Sequence, residues 1–398
     1  MTDWMELERR YYMFVVRRQP VVILRGQGTR VWDVDGKEYL DFTAGWAVNN
    51  LGHCHPAVTK AIQEQAATLM QTSNQFYTTP QLKLAQVLVE NSCLDRVFFS
   101  NSGAEANEGA VKLARKYGRL HRNGAYEVIT ALNSFHGRTL AMVAATGQPH
   151  YQENWKPLAP GFVNVEYNDL EAIKKATSDR TCTVMLEVLQ GEGGVNLPSE
   201  GYLKGVREWC DEQGLILIFD EVQTGLGRLG TLFGYQWAGV EPDVMTLAKG
   251  LGGGVPIGAF LCKEKCAVLE PGDHGSTFGG NALTCAAAYA STEYIISHNV
   301  PGHAREIGEY LRRTLERLQR RNPMVTEVRG TGLLLAVQFG ADISGKVVAA
   351  CNNEGLLLNP VRPNAIRLMP PLIITREEID EGVARLERGL AKAQASQG

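Results

Sequence analysis

The chain lacks any apolar run long enough to cross a bilayer, and it lacks a surplus of either charge. A membrane-spanning helix needs about 20 consecutive apolar residues, so helical insertion is excluded. The formal net charge is only −3, which gives no bulk attraction to nucleic acid or to anionic membranes. Cysteines at metal-binding spacing are missing too. The 8 cysteines are scattered, and the nearest pair, Cys262 and Cys266, has no histidine or second pair at zinc-ligand spacing. They read as free buried thiols in a reducing cytoplasm. Residues 1–10 carry both charge signs and no apolar stretch of the secretory kind. No internal repeat or low-complexity tract is visible in the 398 residues. The expectation is a soluble cytoplasmic protein with no metal, nucleic-acid or membrane partner.

What is present is a change of rhythm along the chain. Short β-like runs at Val21–Leu24, Thr29–Trp32 and Glu38–Asp41, with a turn at Asp33–Gly36, predict a small antiparallel meander. From residue 97 onward, apolar runs alternate with helical patterns. The runs are Val97–Phe99, Val128–Thr130, Val184–Leu186, Leu215–Phe219, Val244–Leu247 and Ile257–Leu261. Continuous apolar strands between helices predict a mostly parallel sheet covered on both faces. Beyond Asn281, Ile307, Leu311, Leu315 and Leu318 mark one face of a long helix, and the arginines among them read as its solvated side. The fold class is therefore α/β, with a large domain and a smaller α+β domain from both chain ends. The expected division is 1–50 as N-terminal segment and part of the small domain, 51–285 as large domain, and 286–398 as the rest of the small domain.

Ligands in such sheets bind outside the carboxyl ends of the strands, so the residues after each run carry the interest. After Val97–Phe99, Ser102, Gly103 and Ala104 open a helix whose first N–H groups form an anion site, or simply a capped helix start. After Val128–Thr130, Phe135 can stack on a planar ring or belong to the core, and His136 can be a structural histidine. Arg138 beside them can grip a carboxylate. After Val184–Leu186, Glu187 and Glu192 sit on a flexible glycine loop, where a surface turn is the plainer reading of Glu192. Asp220 ends the buried run Leu215–Phe219 and needs a partner there. A protonated pyridine nitrogen would serve, with Gln223 in reach of the same ring; a magnesium ion at Asp220–Glu221 is the rival. After Val244–Leu247, Lys249 stands before a glycine run, either as a desolvated amine able to form a Schiff base or as a surface lysine. Together these groups match pyridoxal 5′-phosphate part by part.

Two motifs are set aside. Gly225–Gly230 fits G-x-G-x-x-G and would suit an NAD-dependent dehydrogenase, but no acidic ribose partner follows at the right spacing. Gly340–Lys346 fits a P-loop except that Val347 stands where a Ser or Thr is needed.

From Pro20 to Thr375 the chain resembles the class III, fold type I, pyridoxal-phosphate-dependent aminotransferases. The resemblance rests on Asp41–Gly45, Leu51–Pro56, Asn101–Glu108, Phe135–Thr139, Gln190–Gly194, Asp220–Gly225, Lys249–Gly254 and Gly275–Asn281 in that order. It implies a seven-stranded sheet in the large domain. It implies Lys249 as the Schiff-base and proton-shuttling lysine, Asp220 on the pyridinium nitrogen, Gln223 near the phenolic oxygen and Phe135 on the ring, with His136 beside it. It implies Ser102, Gly103 and Ala104 on the phosphate. Thr277 would reach the cofactor phosphate of a second subunit, which implies a homodimer with shared sites. Arg367 would bind a substrate α-carboxylate, Arg138 a second carboxylate, and Glu192 would screen Arg367 in one half-reaction. Within the family the resemblance runs to members that move the terminal amino group of N2-acetyl-L-ornithine to 2-oxoglutarate, in arginine biosynthesis. Ornithine, succinylornithine and 4-aminobutyrate are the alternative donors. Two positions depart from that pattern. Val16 stands where a substrate-contacting tyrosine is usual, although Tyr11 and Tyr12 are near, and Trp46 replaces a smaller aliphatic residue or a tyrosine. Both bear on the donor pocket.

Overall fold

The structure, a computed structural model, describes residues 3–395. Its strands are β1 (Ile23–Gln27), β2 (Arg30–Asp33), β3 (Glu38–Asp41), β4 (Arg96–Ser100), β5 (Glu127–Ala131), β6 (Phe162–Val165), β7 (Thr181–Glu187), β8 (Ile216–Asp220), β9 (Val244–Leu247), β10 (Gly258–Cys262), β11 (Val325–Thr331), β12 (Leu334–Phe339), β13 (Leu356–Leu357), β14 (Asn359–Arg362) and β15 (Ala365–Leu368). They form three sheets, ordered β1-β2-β3-β13, β4-β10-β9-β8-β7-β5-β6 and β11-β12-β15-β14.

The seven-stranded sheet is the centre. β7 and β8 are buried along their whole length. Val184, Leu186, Leu217 and Phe219 enter one apolar cluster, and Met185, Ile216 and Ile218 enter another. Alternate residues of a strand point to opposite faces, so a continuous apolar run is what a sheet covered on both sides requires. Every strand of this sheet runs in the same direction except β10, which is antiparallel to both its neighbours, β4 and β9. The carboxyl ends of β4, β5, β7, β8 and β9 therefore share one edge. β6 is absent from the apolar runs of the sequence because it is a half-buried edge strand carrying Asn164.

The N-terminal meander forms as expected and gains β13, which pairs in parallel with β3 through Leu356 and Leu40. An exposed helix, Trp4–Tyr11, capped by Asp3, precedes the meander. In the helix Val300–Arg321, Ile307, Leu311, Leu315 and Leu318 are buried. Arg312 and Arg313 pair with Glu309 on the outer side.

The Gly225–Gly230 motif has a structural use. No helix starts there. Gly227 and Gly230 both lie at φ +94°, and a side chain at Gly227 would run into Leu372. The turn carries Arg228, which is fully buried and donates to Leu333 O (3.0 Å), Pro370 O (2.6 Å) and Asn50 Oδ1 (2.6 Å). One guanidinium thus ties residues near the N-terminus and two C-terminal segments to the central sheet. Burial lowers its pKa to about 9. Arg228→Ala would leave three acceptors unmet and a cavity, at a cost of roughly 3 kcal/mol or more. The denaturation midpoint should fall accordingly; an unchanged midpoint would show that the neighbours close over the gap.

Candidate active site

A cavity of about 440 Å³ opens at the carboxyl edge of the central sheet. It is lined by Ser102, Gly103 and Ala104, by Phe135, His136 and Arg138, by Glu187 and Glu192, by Asp220 and Gln223, and by Lys249. Parallel strands put these loops side by side although up to about 150 residues separate them in sequence.

Ser102 caps the 19-residue helix Gly103–His121, its hydroxyl accepting from Glu105 N–H at 3.2 Å. Glu105 in turn accepts from Asn101 N–H at 2.7 Å. The N–H groups of Gly103 and Ala104 have no place in the helical ladder and lie at the cavity wall with the positive end of the dipole. The helix start is capped, and the positive end of its dipole faces the cavity.

Asp220 ends β8 and is buried. Its Oδ2 accepts from Asn107 Nδ2 (2.7 Å) and contacts His136 Nδ1 (2.8 Å), while Oδ1 accepts from Val222 N–H (3.0 Å). Asn107 is itself fixed by Thr246 Oγ1, which donates to its side-chain oxygen at 2.6 Å. Glu221 turns away. It accepts from Tyr235 N–H at 2.7 Å and from Gly234 N–H, at the start of another helix. Adjacent strand residues face opposite ways, so Asp220 and Glu221 do not converge on one ion. His136 Nε2 and Gln223 Nε2 are buried with no hydrogen-bond partner.

Lys249 follows β9 and adopts the left-handed region, φ +41°. A non-glycine residue held there is locally strained. Burial first, then the nearby Arg367, lowers its pKa from 10.5, which favours the free amine. Arg138 lies at the open side, 3.9 Å above the Tyr151 ring and 5.4 Å from that of Phe135.

Arg367, on β15, is fully buried. It donates to Glu192 Oε2 (2.8 Å), Asn359 Oδ1 (2.8 Å) and Gln223 Oε1 (3.2 Å), and its Nε has no partner. Burial raises the Glu192 pKa, but Arg367, Lys249 and Arg138 outweigh that and hold it below the ordinary range. The loop of Glu192 is not the flexible surface turn expected from its glycines. Gly191, Gly193, Gly194 and Val195 are all buried.

Not every residue picked from the sequence meets at this cavity. Val16 and Trp46 are exposed at 42% and 55%, and neither lines it. Thr277 lies in a separate surface recess with Gln71, Asn74 and Asn281. Conversely, Asn107, Tyr151 and Asn359 carry contacts that sequence reading assigned to no residue. The partners of Asn107, Asp220 and Thr246, lie 113 and 139 positions away, whereas Asn359 is only 8 positions from Arg367.

Glu187, at the end of β7, accepts from Phe135 N–H (3.2 Å) and Gly191 N–H (3.3 Å). Burial raises its pKa from 4.5 to about 7, with His136 opposing and Asp220 reinforcing. A raised folded value means the native state holds the proton. The linked stability is present below the unfolded value and is lost as pH rises through 7. Glu187→Gln removes this loss, so the thermal midpoint of the variant minus that of the wild type should grow between pH 4.5 and 7. A difference independent of pH would refute the linkage.

Fold and cavity define an α/β enzyme whose reactive groups stand at the carboxyl edge of a mostly parallel sheet. The family described as "Aminotransferase class-III" matches residues 12–390. An acetylornithine aminotransferase of Caldanaerobacter subterraneus subsp. tengcongensis is 50% identical over 386 residues, 97% of this chain and 98% of that protein. Another, of Methanocaldococcus jannaschii, is 50% identical over 391 residues, 97% of each. The solved ornithine aminotransferase of Toxoplasma gondii superposes with a TM-score of 0.95 at 36% identity, covering 99% of this chain and 96% of that one. The solved acetylornithine aminotransferase of Elizabethkingia anophelis gives 0.88 at 35%, covering 98% of each. This chain belongs to the class III aminotransferase family. It is a transaminase of fold type I.

Proposed function

We propose that this aminotransferase binds pyridoxal 5′-phosphate and moves the terminal amino group of N2-acetyl-L-ornithine to 2-oxoglutarate, giving a semialdehyde and glutamate in arginine biosynthesis. The observation that carries this is the placement of Lys249, Asp220 and Glu192 around one cavity, with the buried Arg367 paired to Glu192. The donor set fits the cofactor. Gly103 and Ala104 offer free N–H groups to a phosphate. Phe135 offers a ring face. The partnerless Nε2 of Gln223 offers a donor to a ring oxygen. Asp220, already aligned by Asn107 and His136, offers the buried negative charge that a ring N–H needs.

Bound pyridoxal phosphate supplies an electron sink for the substrate carbon that loses its proton. The chain's residues do the rest. Lys249 Nζ, poised as a free amine by its surroundings, would take up that proton and give it back as the amino group is transferred. Asp220 would hold the proton on the ring nitrogen. Arg138, stacked on Tyr151, holds the donor's carboxylate. Glu192 masks Arg367 while the ω-amine reacts, and yields it to the α-carboxylate of 2-oxoglutarate.

The enzyme acts as a homodimer in which Thr277 meets the second subunit's cofactor phosphate. Phe76, Tyr77 and Phe278, exposed at 63%, 92% and 63% near Thr277, support an interface there. Residues 1–50 and 286–398 act together as the small domain against 51–285, and the β3–β13 pairing supports that grouping. The unpaired thiols suit the cytoplasm. Ornithine, succinylornithine and 4-aminobutyrate are the alternative donors, and Val16 and Trp46, which do not line the cavity, could bear on that choice only from outside it.

The visible spectrum of the purified holoenzyme tests the assignment. N2-Acetyl-L-ornithine alone should bleach the cofactor's long-wavelength absorbance, and 2-oxoglutarate should restore it. No response to acetylornithine alongside a response to one of the other amines would reassign the donor. No cofactor absorbance after incubation with pyridoxal phosphate would overturn the proposal.

A further inference from the structure

The five residues Gly191–Val195 carry Glu192 between a closed base and two arginines from the sheet β11-β12-β15-β14. The base is closed by Gln190 and Asn196, whose backbones exchange hydrogen bonds of 3.1 and 2.9 Å. Arg362, on β14, donates from both Nε (2.9 Å) and Nη2 (2.7 Å) to Gly193 O, and from Nη2 to Asn133 Oδ1 (2.7 Å). Arg329, on β11, donates from Nε (3.0 Å) and Nη2 (2.7 Å) to Gly194 O and from Nε to Val195 O (3.2 Å). Its Nη1 is held by Glu327 (2.8 Å) and Gln338 (2.7 Å). Two guanidinium forks thus take up three consecutive carbonyls.

The loop needs that hold. Val195 sits at φ +59°, a conformation a β-branched residue adopts only when its surroundings impose it. A side chain at Gly193 would strike the Asn133 carbonyl. Among the loop's residues only Glu192 is not fully buried, its side chain 33% exposed, and it points to Arg367 at 2.8 Å. The arginines come from strands of the same sheet as Arg367, so they fix the loop relative to the guanidinium that Glu192 must mask.

We propose that Arg329 and Arg362 are positioning residues that determine substrate class: by pinning the Gly193–Val195 carbonyls they keep Glu192 on Arg367, favouring ω-amines over α-amino acids as amino donor. The inference rests on the proposed masking role of Glu192. Without the forks the strained Val195 relaxes, Glu192 drifts from Arg367, and the bared guanidinium captures α-carboxylates. Glutamate then gains. Acetylornithine, held by the wrong end with its α-nitrogen acylated, is bound unproductively.

The test uses holoenzyme and the two half-reactions, followed by cofactor absorbance with L-glutamate and with N2-acetyl-L-ornithine separately. Losing a charge-assisted hydrogen-bonded fork should raise the glutamate-to-acetylornithine ratio of kcat/KM about tenfold or more in Arg362→Gln and in Arg329→Gln. Arg362→Lys, which keeps the charge but not the fork, should fall between. In a Glu192→Gln background the same arginine substitutions should change the ratio by less than about twofold, because non-additivity marks residues acting through one another. An unchanged ratio in both single variants, or an equal change with Glu192 replaced, overturns the proposal. If Glu192→Gln alone leaves the ratio unchanged, the masking role itself fails, and the inference with it.

Discussion

Lys249→Ala is expected to lose turnover by more than the roughly 10²–10⁴-fold that a proton-transfer group supplies, because the residue would serve both as nucleophile and as base. Lys249 stands at the cavity wall, where burial and Arg367 favour its free amine. It is half-buried at the end of a strand, so alanine there leaves a small space and not a collapsed core. Cofactor should still bind through the Gly103–Ala104 end and Asp220, and the visible spectrum should shift because the covalent link is gone. Near-normal turnover by Lys249→Ala would defeat the assignment. Loss of turnover together with loss of all cofactor binding would point to a structural role instead.

Asp220→Asn should slow both half-reactions by about 10²–10³-fold, the range for deleting one preorganised electrostatic group. The substitution keeps the shape while removing the charge. Asp220 receives Asn107, His136 and the Val222 N–H, and among the described residues no lysine or arginine is hydrogen-bonded to it. A buried carboxylate without a lysine or arginine partner is costly unless a cation arrives. A ring N–H of the cofactor would be that cation. In Asp220→Asn the cofactor should bind with its spectrum displaced toward the unprotonated ring, and proton removal from the substrate should become the slow step. Rates within about twofold of wild type would mean that Asp220 only organises His136 and Asn107.

The site was legible in part. Ser102, Phe135, Glu187, Asp220 and Lys249 each follow an apolar run, and in a parallel sheet such positions must converge on one edge. β10 fits the run pattern too, but no sequence signal marks its reversed direction. The loop of Glu192 misled, since its glycines suggest mobility. Gly191 and Gly193 are there because the Gln223 side chain and the Asn133 carbonyl approach too closely for a Cβ.

By itself the sequence determined the α/β class, the family and the order of the reactive residues, because strand periodicity and the glycine-rich turns after strands are local properties that neighbouring residues encode. Only the tertiary structure decided that Arg228 ties the chain's ends to the central sheet, that Asn107 and His136 align Asp220, and that Arg329 and Arg362 pin the loop of Glu192. Those contacts join residues 84 to 178 positions apart, and an isolated arginine or asparagine in a sequence gives no sign of which distant carbonyl or carboxylate it will meet.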